Sequence, residues 1–190
     1  FKIEKDKIDV VYQGCNMVFK TKKKLSEISD VKKKFNLFEN YLLYVGSIEE
    51  RKNLMTLLHS LKDLQNKNLI IIGDGKKYKE KCIEHIKNNN LGKRVKILSD
   101  LNLHEISCIY QKADIMVYPS IFEGFGIPIL EALNSKIPVI TSKGGCFHEV
   151  GGKNCLYVDP MSSDEISNSI IKIDSDSKLR KQMIDLGYEH

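Results

Sequence analysis

The chain has 190 residues, of which 42% are hydrophobic and 29% charged, with a formal net charge of +5. That size and balance suit a globular domain with its own core and exclude a disordered or collagen-like chain. No apolar run nears the ~20 residues of a membrane span, and the opening Phe1-Lys2-Ile3-Glu4-Lys5-Asp6 is too charged for a signal peptide. The first residue is not Met, which reads as a piece of a longer protein.

In chain order, residues 1–40 stand apart from the rest of the chain. Asp9-Val10-Val11-Tyr12 predicts the end of a strand, then comes Gln13-Gly14-Cys15-Asn16, and a polar helix is expected from about Ser26 to Phe35. The clusters Lys22-Lys23-Lys24 and Lys32-Lys33-Lys34 suit an anionic lipid or substrate. Runs this short also serve as a solvated helix face, and that is the reading favoured here. Residues 1–40 are expected to be a connector from a separate, preceding lobe.

Residues 41–190 alternate short apolar runs with polar helical stretches. Tyr41 to Val45 predicts a strand and about Lys52 to Leu64 a helix. Leu69 to Ile72 predicts a strand closed by Gly73-Asp74-Gly75, then a helix to about Asn89. Val95 to Leu98 is a strand and about Leu103 to Lys112 a helix. Ile115 to Tyr118 is a strand, and a helix starts at Pro128, because proline is tolerated at the first helical position. Ile137 to Thr141 and Leu156 to Val158 are the last strands, followed by helices from about Ser163 and Ser177. Strands rich in Ile, Val and Leu with little alternation point to a parallel sheet buried on both faces. The expected fold is α/β, a doubly wound, Rossmann-like parallel sheet of about six strands with helices on both faces. In such sheets ligands bind at the carboxyl ends of the strands.

The most telling stretch lies at one of those ends. Glu123-Gly124-Phe125-Gly126 forms a glycine turn between a strand and the Pro128 helix, and Glu131 comes within that helix. Backbone N–H groups and a helix N-terminus suit a phosphate, and carboxylates accept hydrogen bonds from sugar hydroxyls. Glu131 also reads as a complement to the helix dipole, and Glu123 as a surface turn acid. After the first strand, Gly46 leads into Arg51 and Lys52, two cations placed for a diphosphate although a helix start disfavours them. The loop Ser99-Asp100-Leu101 closes the third strand. The five cysteines include no Cys-x-x-Cys pair and the five histidines no metal spacing, which fits free thiols in a reducing cytosol. His148-Glu149 reads as an acid–base pair or, preferably, as part of a short structural helix.

The stretch Glu123-Gly-Phe-Gly-Ile-Pro-Ile-Leu-Glu131 resembles the E-x7-E signature of retaining glycosyltransferases with the two-lobed GT-B fold, the glycosyl transferases group 1 family. Tyr44-Val45-Gly46 through Lys52-Asn53, Ala113-Asp114 through Ser120, Ile137 through Ser142, and Glu149 through Pro160 extend the resemblance. It covers the donor-binding C-terminal lobe of that fold. By this resemblance Arg51 and Lys52 bind the donor diphosphate, Glu131 the ribose, and Glu123 the donor sugar as the catalytic carboxylate. Gly46, Gly124, Phe125 and Gly126 line sugar and phosphate, and Ser99, Asp100 and Leu101 meet the base. Ser99 stands where the family often has Gly, and His148 where it often has Pro.

The resemblance implies transfer of a hexose from a nucleoside diphosphate sugar, with GDP-mannose as first choice, to a glycan or lipid-linked acceptor. Retention of configuration, no metal or other cofactor, no nucleic-acid partner, a cytoplasmic location and peripheral membrane contact are expected with it. The fragment alone is expected to be inactive. Two other readings stay open: a non-catalytic nucleotide-binding module, and a sugar-nucleotide epimerase of the same architecture.

Overall fold

The structure, a computed structural model, describes residues 4–189. The first three residues of the expected connector and His190 lie outside the described residues. Six strands form one all-parallel sheet: β1 (Leu42–Val45), β2 (Leu69–Ile72), β3 (Val95–Leu98), β4 (Ile115–Tyr118), β5 (Val139–Ser142) and β6 (Leu156–Val158). Their order is β3-β2-β1-β4-β5-β6. Leu42 pairs with Leu69 on one side and Ile115 on the other, so β1 and β4 are the central pair. The chain winds outward from β1 to β3, then returns to start β4 beside β1. The strand order reverses between β1 and β4, so their carboxyl ends form the switch point whose crevice binds ligands in such sheets.

Both faces of the sheet are covered, as the apolar strands require. Leu42 and Tyr44 point to one face, where α3 (Leu54–Ser60), α4 (Lys77–Asn88) and α8 (Ser163–Ser175) supply Leu57, Ile86 and Ile170. Leu43, one residue out of phase, points to the other. There α1 (Met17–Lys20), α2 (Leu25–Phe35), α5 (Leu103–Lys112), α6 (Ile127–Asn134) and α7 (Phe147–Gly151) supply Phe19, Val31, Tyr110, Ile129 and Val150. The closing helix α9 (Ser177–Glu189) packs on α6 and α8. Phe19, Val31 and Leu37, all within residues 1–40, are buried in the second core. Among the described residues no helix is long and apolar enough to cross a membrane.

Three local expectations change. Asp9 to Tyr12 forms no strand: it is irregular chain outside the sheet, with Val10 and Val11 exposed. The helix expected from Lys52 to Leu64 is shorter and broken. A 3-10 turn spans Glu50–Lys52, Asn53 takes a left-handed conformation (φ 55°), and α3 starts only at Leu54. The Asn53 side chain explains the break, since its amide donates to the carbonyls of Pro119 (3.1 Å) and Pro160 (2.5 Å). The fifth strand starts at Val139, two residues later than expected.

Gly73 is where close packing dictates the residue. A Cβ there would lie 1.9 Å from the Gly46 carbonyl oxygen. The turns after β1 and β2 are thus pressed together, and Ile48 bridges to Gly75.

Candidate functional site

Glu123 sits in the crevice between β1 and β4, held from several sides. The Lys52 ammonium lies 2.6 Å from its Oε1. Arg51 donates to its Oε2 at 3.1 Å. The Tyr118 hydroxyl, at the end of β4, accepts from Lys52 (2.7 Å) and donates to Glu123 (2.8 Å). Ser120 Oγ stands 2.7 Å from the same carboxylate oxygen and 3.1 Å from the Arg51 carbonyl. A hydroxyl has one proton to give, and the ionised acceptor makes the stronger bond. The side chains of Lys52 and Glu123 are 10% and 9% exposed, against 45% for Arg51. Arg51 therefore forms the outer, solvent-facing half of the clamp.

Burial alone would push the Glu123 carboxyl up, but the hydrogen bonds from Lys52, Ser120 and Tyr118 outweigh it, so its pKa falls below the usual value. Glu123 is therefore an ionised acceptor at neutral pH, not a proton donor. Arg51 is held further by Glu49 at 3.3 Å. The basic pair that looked misplaced at a helix start lies instead on the 3-10 turn ahead of α3, with carboxylate partners.

Backbone bonds tie the two loops into one unit. Ile121 N–H donates to the Arg51 carbonyl (2.8 Å), while from the end of β5 the Ser142 side-chain hydroxyl donates to the Ser120 carbonyl (2.6 Å). Gly46 sits under Lys52: a Cβ there would touch the Lys52 Cδ, Cε and Nζ at 3.7–3.8 Å. Gly124 is exposed at the mouth. The Cys146 thiol, from the loop after β5, donates towards the carbonyls of Phe125 (3.0 Å) and Glu123 (3.4 Å) and pins the turn from behind. Tyr12 lies over this turn, its ring 6.0 Å from Phe125 and its hydroxyl bonded to Glu149.

Gly126 (φ 106°) starts α6, which has no side-chain cap and no acid in its first turn. Pro128 brings no N–H and Ile129 N–H donates to the Gly126 carbonyl at 2.9 Å, so what this end offers an anion is chiefly the helix dipole. A Cβ on Gly126 would meet Ile129 Cδ1 at 3.3 Å in a backbone conformation that L-residues rarely adopt. Gly126→Ala should therefore cost about 1–3 kcal/mol, read as a lowered melting temperature. An unchanged melting point would show that the turn relaxes freely.

Glu131 lies in the second turn of α6, and no backbone N–H donates to it; its hydrogen bond comes from the Tyr110 hydroxyl at 2.8 Å. The dipole-complement reading is thus the weaker one. Glu131 and Glu123 share no hydrogen-bond partner. Burial pushes the Glu131 carboxyl up, with Tyr110 opposing. Ser99, Asp100 and Leu101 stand apart at the end of β3, where Asp100 is left-handed (φ 60°) and accepts from Ser99 (2.9 Å). His148 stacks on Tyr157 with ring centroids 3.7 Å apart, while Glu149 binds Tyr12; the two do not act as a pair. Tyr118, Ser120, Cys146 and Tyr110 were missed from sequence. Tyr118 carried a signal as the polar tip of an otherwise apolar strand at a ligand-binding edge, and Ser120 one as the start of the loop placed at that edge. A groove of about 740 Å³ lined by His59, His85, Arg94 and Asp164 lies elsewhere and contains none of the expected site residues.

The family model for glycosyl transferases group 1 matches residues 26–190. The chain belongs to this family. It is 33% identical over 175 residues to the O-antigen chain mannosyltransferase RfbU of Salmonella typhimurium, covering 92% of this chain and 46% of that protein. Among solved structures, the Anabaena protein HepE in complex with UDP and glucose superposes with a TM-score of 0.85 at 23% identity, over 95% of this chain and 51% of that one. The C-terminal domain of a glycosyl transferase group 1 family protein from Francisella tularensis superposes with a TM-score of 0.72 at 27% identity, over 89% of this chain and 91% of that domain. The chain spans about half the length of the curated relatives it matches. Its six-stranded parallel sheet, with helices on both faces, is that of a GT-B lobe.

Proposed function

We propose that this chain is the donor-binding lobe of a retaining glycosyltransferase. In this reading the whole protein moves a hexose from a nucleoside diphosphate sugar to a glycan or lipid-linked acceptor, without a metal. The observation that carries it is the clamp of Glu123 by Lys52 and Arg51 at the β1/β4 crevice, beside the uncapped N-terminus of α6. A diphosphate entering there meets two cations and the positive end of the α6 dipole, which would stabilise the charge that grows on the leaving group. Glu123, ionised and pre-oriented, would accept hydrogen bonds from the donor sugar. Glu131 would hold the ribose. The mannosyltransferase named among the relatives makes GDP-mannose the first donor to test.

A thermal-shift panel of GDP, UDP, ADP, GDP-mannose and UDP-glucose tests the reading. A ligand at 100 times its dissociation constant should stabilise the fold by about 2.7 kcal/mol. No shift with any of them at millimolar concentration would sink donor binding. Greater stabilisation by UDP-glucose than by GDP-mannose would overturn the choice of donor alone.

A further inference from the structure

We propose that Tyr110 is a positioning residue for the donor: its hydroxyl fixes one oxygen of Glu131 so that the other faces the ribose hydroxyls. This deepens the donor-binding reading above and rests on it. Tyr110 lies on α5, fully buried, and donates to Glu131 Oε2 at 2.8 Å. Its ring is locked by the edge-on ring of Phe19, with centroids 5.2 Å apart at 81°. The hydroxyl therefore has little freedom to turn elsewhere.

Glu131 is half-buried and, among the described residues, has no hydrogen bond besides the one from Tyr110 and no cation partner. Its second oxygen is not among the sealed, unpartnered polar atoms of the core. A carboxylate drawn out of water with a single neutral donor is an unfavourable arrangement. A pair of neighbouring hydroxyls supplies the missing donors. Tyr110 thus leaves one oxygen open and sets its direction. No residue of the Glu123 clamp reaches Glu131, so this second carboxylate depends on its own support.

The groups that face Glu131 are few. From α5 comes Tyr110, and from the segment ahead of α1 comes Cys15, whose thiol is pushed up to about 11 by burial and then by Glu131. Among the described residues, no Lys, Arg or His forms an ion pair with Glu131, and burial and Tyr110 are what shift it. Burial raises the Glu131 carboxyl and the Tyr110 hydrogen bond opposes the rise. Removing the hydroxyl removes the opposing effect. The carboxylate is then lost at a higher pH, and ribose binding with it.

The experiment is calorimetry with GDP and UDP, across about pH 5 to 8, on the unaltered chain, Tyr110→Phe, Glu131→Gln and the double variant. Phe keeps the packing, so Tyr110→Phe should melt close to the unaltered chain. It should bind the favoured diphosphate about five- to twentyfold more weakly, with the acid limb of its affinity profile moved to higher pH. In the Glu131→Gln background, Tyr110→Phe should change neither affinity nor profile. A loss of affinity with an unmoved acid limb would reduce Tyr110 to a packing residue and overturn the inference. So would full affinity in Tyr110→Phe beside a weakened Glu131→Gln, which would leave the donor-binding reading intact. No binding of either diphosphate by the unaltered chain would overturn both.

Discussion

Lys52→Met should destabilise this chain by about 2–4 kcal/mol and nearly abolish diphosphate binding. Met fills much the same volume, so the loss is electrostatic. It takes from Glu123 its closest cation, at 2.6 Å, in a site where both side chains are about nine-tenths covered. Breaking one partner of a buried ion pair typically costs about 3–5 kcal/mol. The loss here is smaller because Arg51, at 3.1 Å, still faces the carboxylate from the solvent side. Tyr118 would also lose the donor that its hydroxyl accepts from.

The same contacts set the sign of the pH effect. Hydrogen bonds depress the folded-state pKa of Glu123 against the pull of burial, with Lys52 the largest of them. The stability this provides is full above the unfolded carboxyl pKa and is lost as pH falls through the depressed folded value. Without Lys52, the largest of the bonds opposing burial is gone and Glu123 protonates at a higher pH. Lys52→Met should therefore unfold at less acidic pH than the unaltered chain, a difference readable by circular dichroism during acid titration. Urea unfolding at neutral pH gives the stability loss. An unchanged acid midpoint together with unchanged urea stability would show that Glu123 does not depend on Lys52.

The sheet was legible because its strands are local statements. Leu69–Ile72, Val95–Leu98, Ile115–Tyr118 and Leu156–Val158 stand where the apolar runs placed them, since short runs, broken only by Lys96 and each stopped on one side by Gly, Asp or Ser, leave little choice. The neighbourhood of Asn53 was not legible. Its left-handed conformation is held by carbonyls at Pro119 and Pro160, far along the chain, so the sequence pattern of one smooth helix was misleading. The Glu123 clamp was half legible. The residues at its corners were identified, but not that Lys52 and Arg51 would be paired with Glu123 rather than free. That pairing depends on β1 and β4 being neighbours, which only the chain's return to the sheet centre produces. Tyr110 was hidden for another reason: on an amphipathic helix a buried tyrosine looks like any core residue until its hydroxyl is seen to meet Glu131.

This 190-residue chain alone should show no measurable glycosyl transfer, whereas a protein that joins it to a second lobe should transfer the sugar with its anomeric configuration retained. The chain spans about half the length of its relatives, and its site is open on one side. Phe122 is 69% exposed and Ile121 49% exposed at the mouth of the clamp. Orientation of two reactants is worth effective molarities of about 10⁵–10⁸ M, so the lone lobe should fall short of the two-lobed protein by at least about five orders of magnitude. On the proposed reading, water reaching the exposed site would further weaken the charge stabilisation expected from Arg51 and Lys52. Slow hydrolysis of the sugar nucleotide is the residual activity to expect. Mass spectrometry of the acceptor measures transfer, and NMR of the product reads the anomeric configuration. Efficient transfer by this chain alone would show that the acceptor is bound within it. Inversion by the two-lobed protein would show that Glu123 does not serve a retaining reaction.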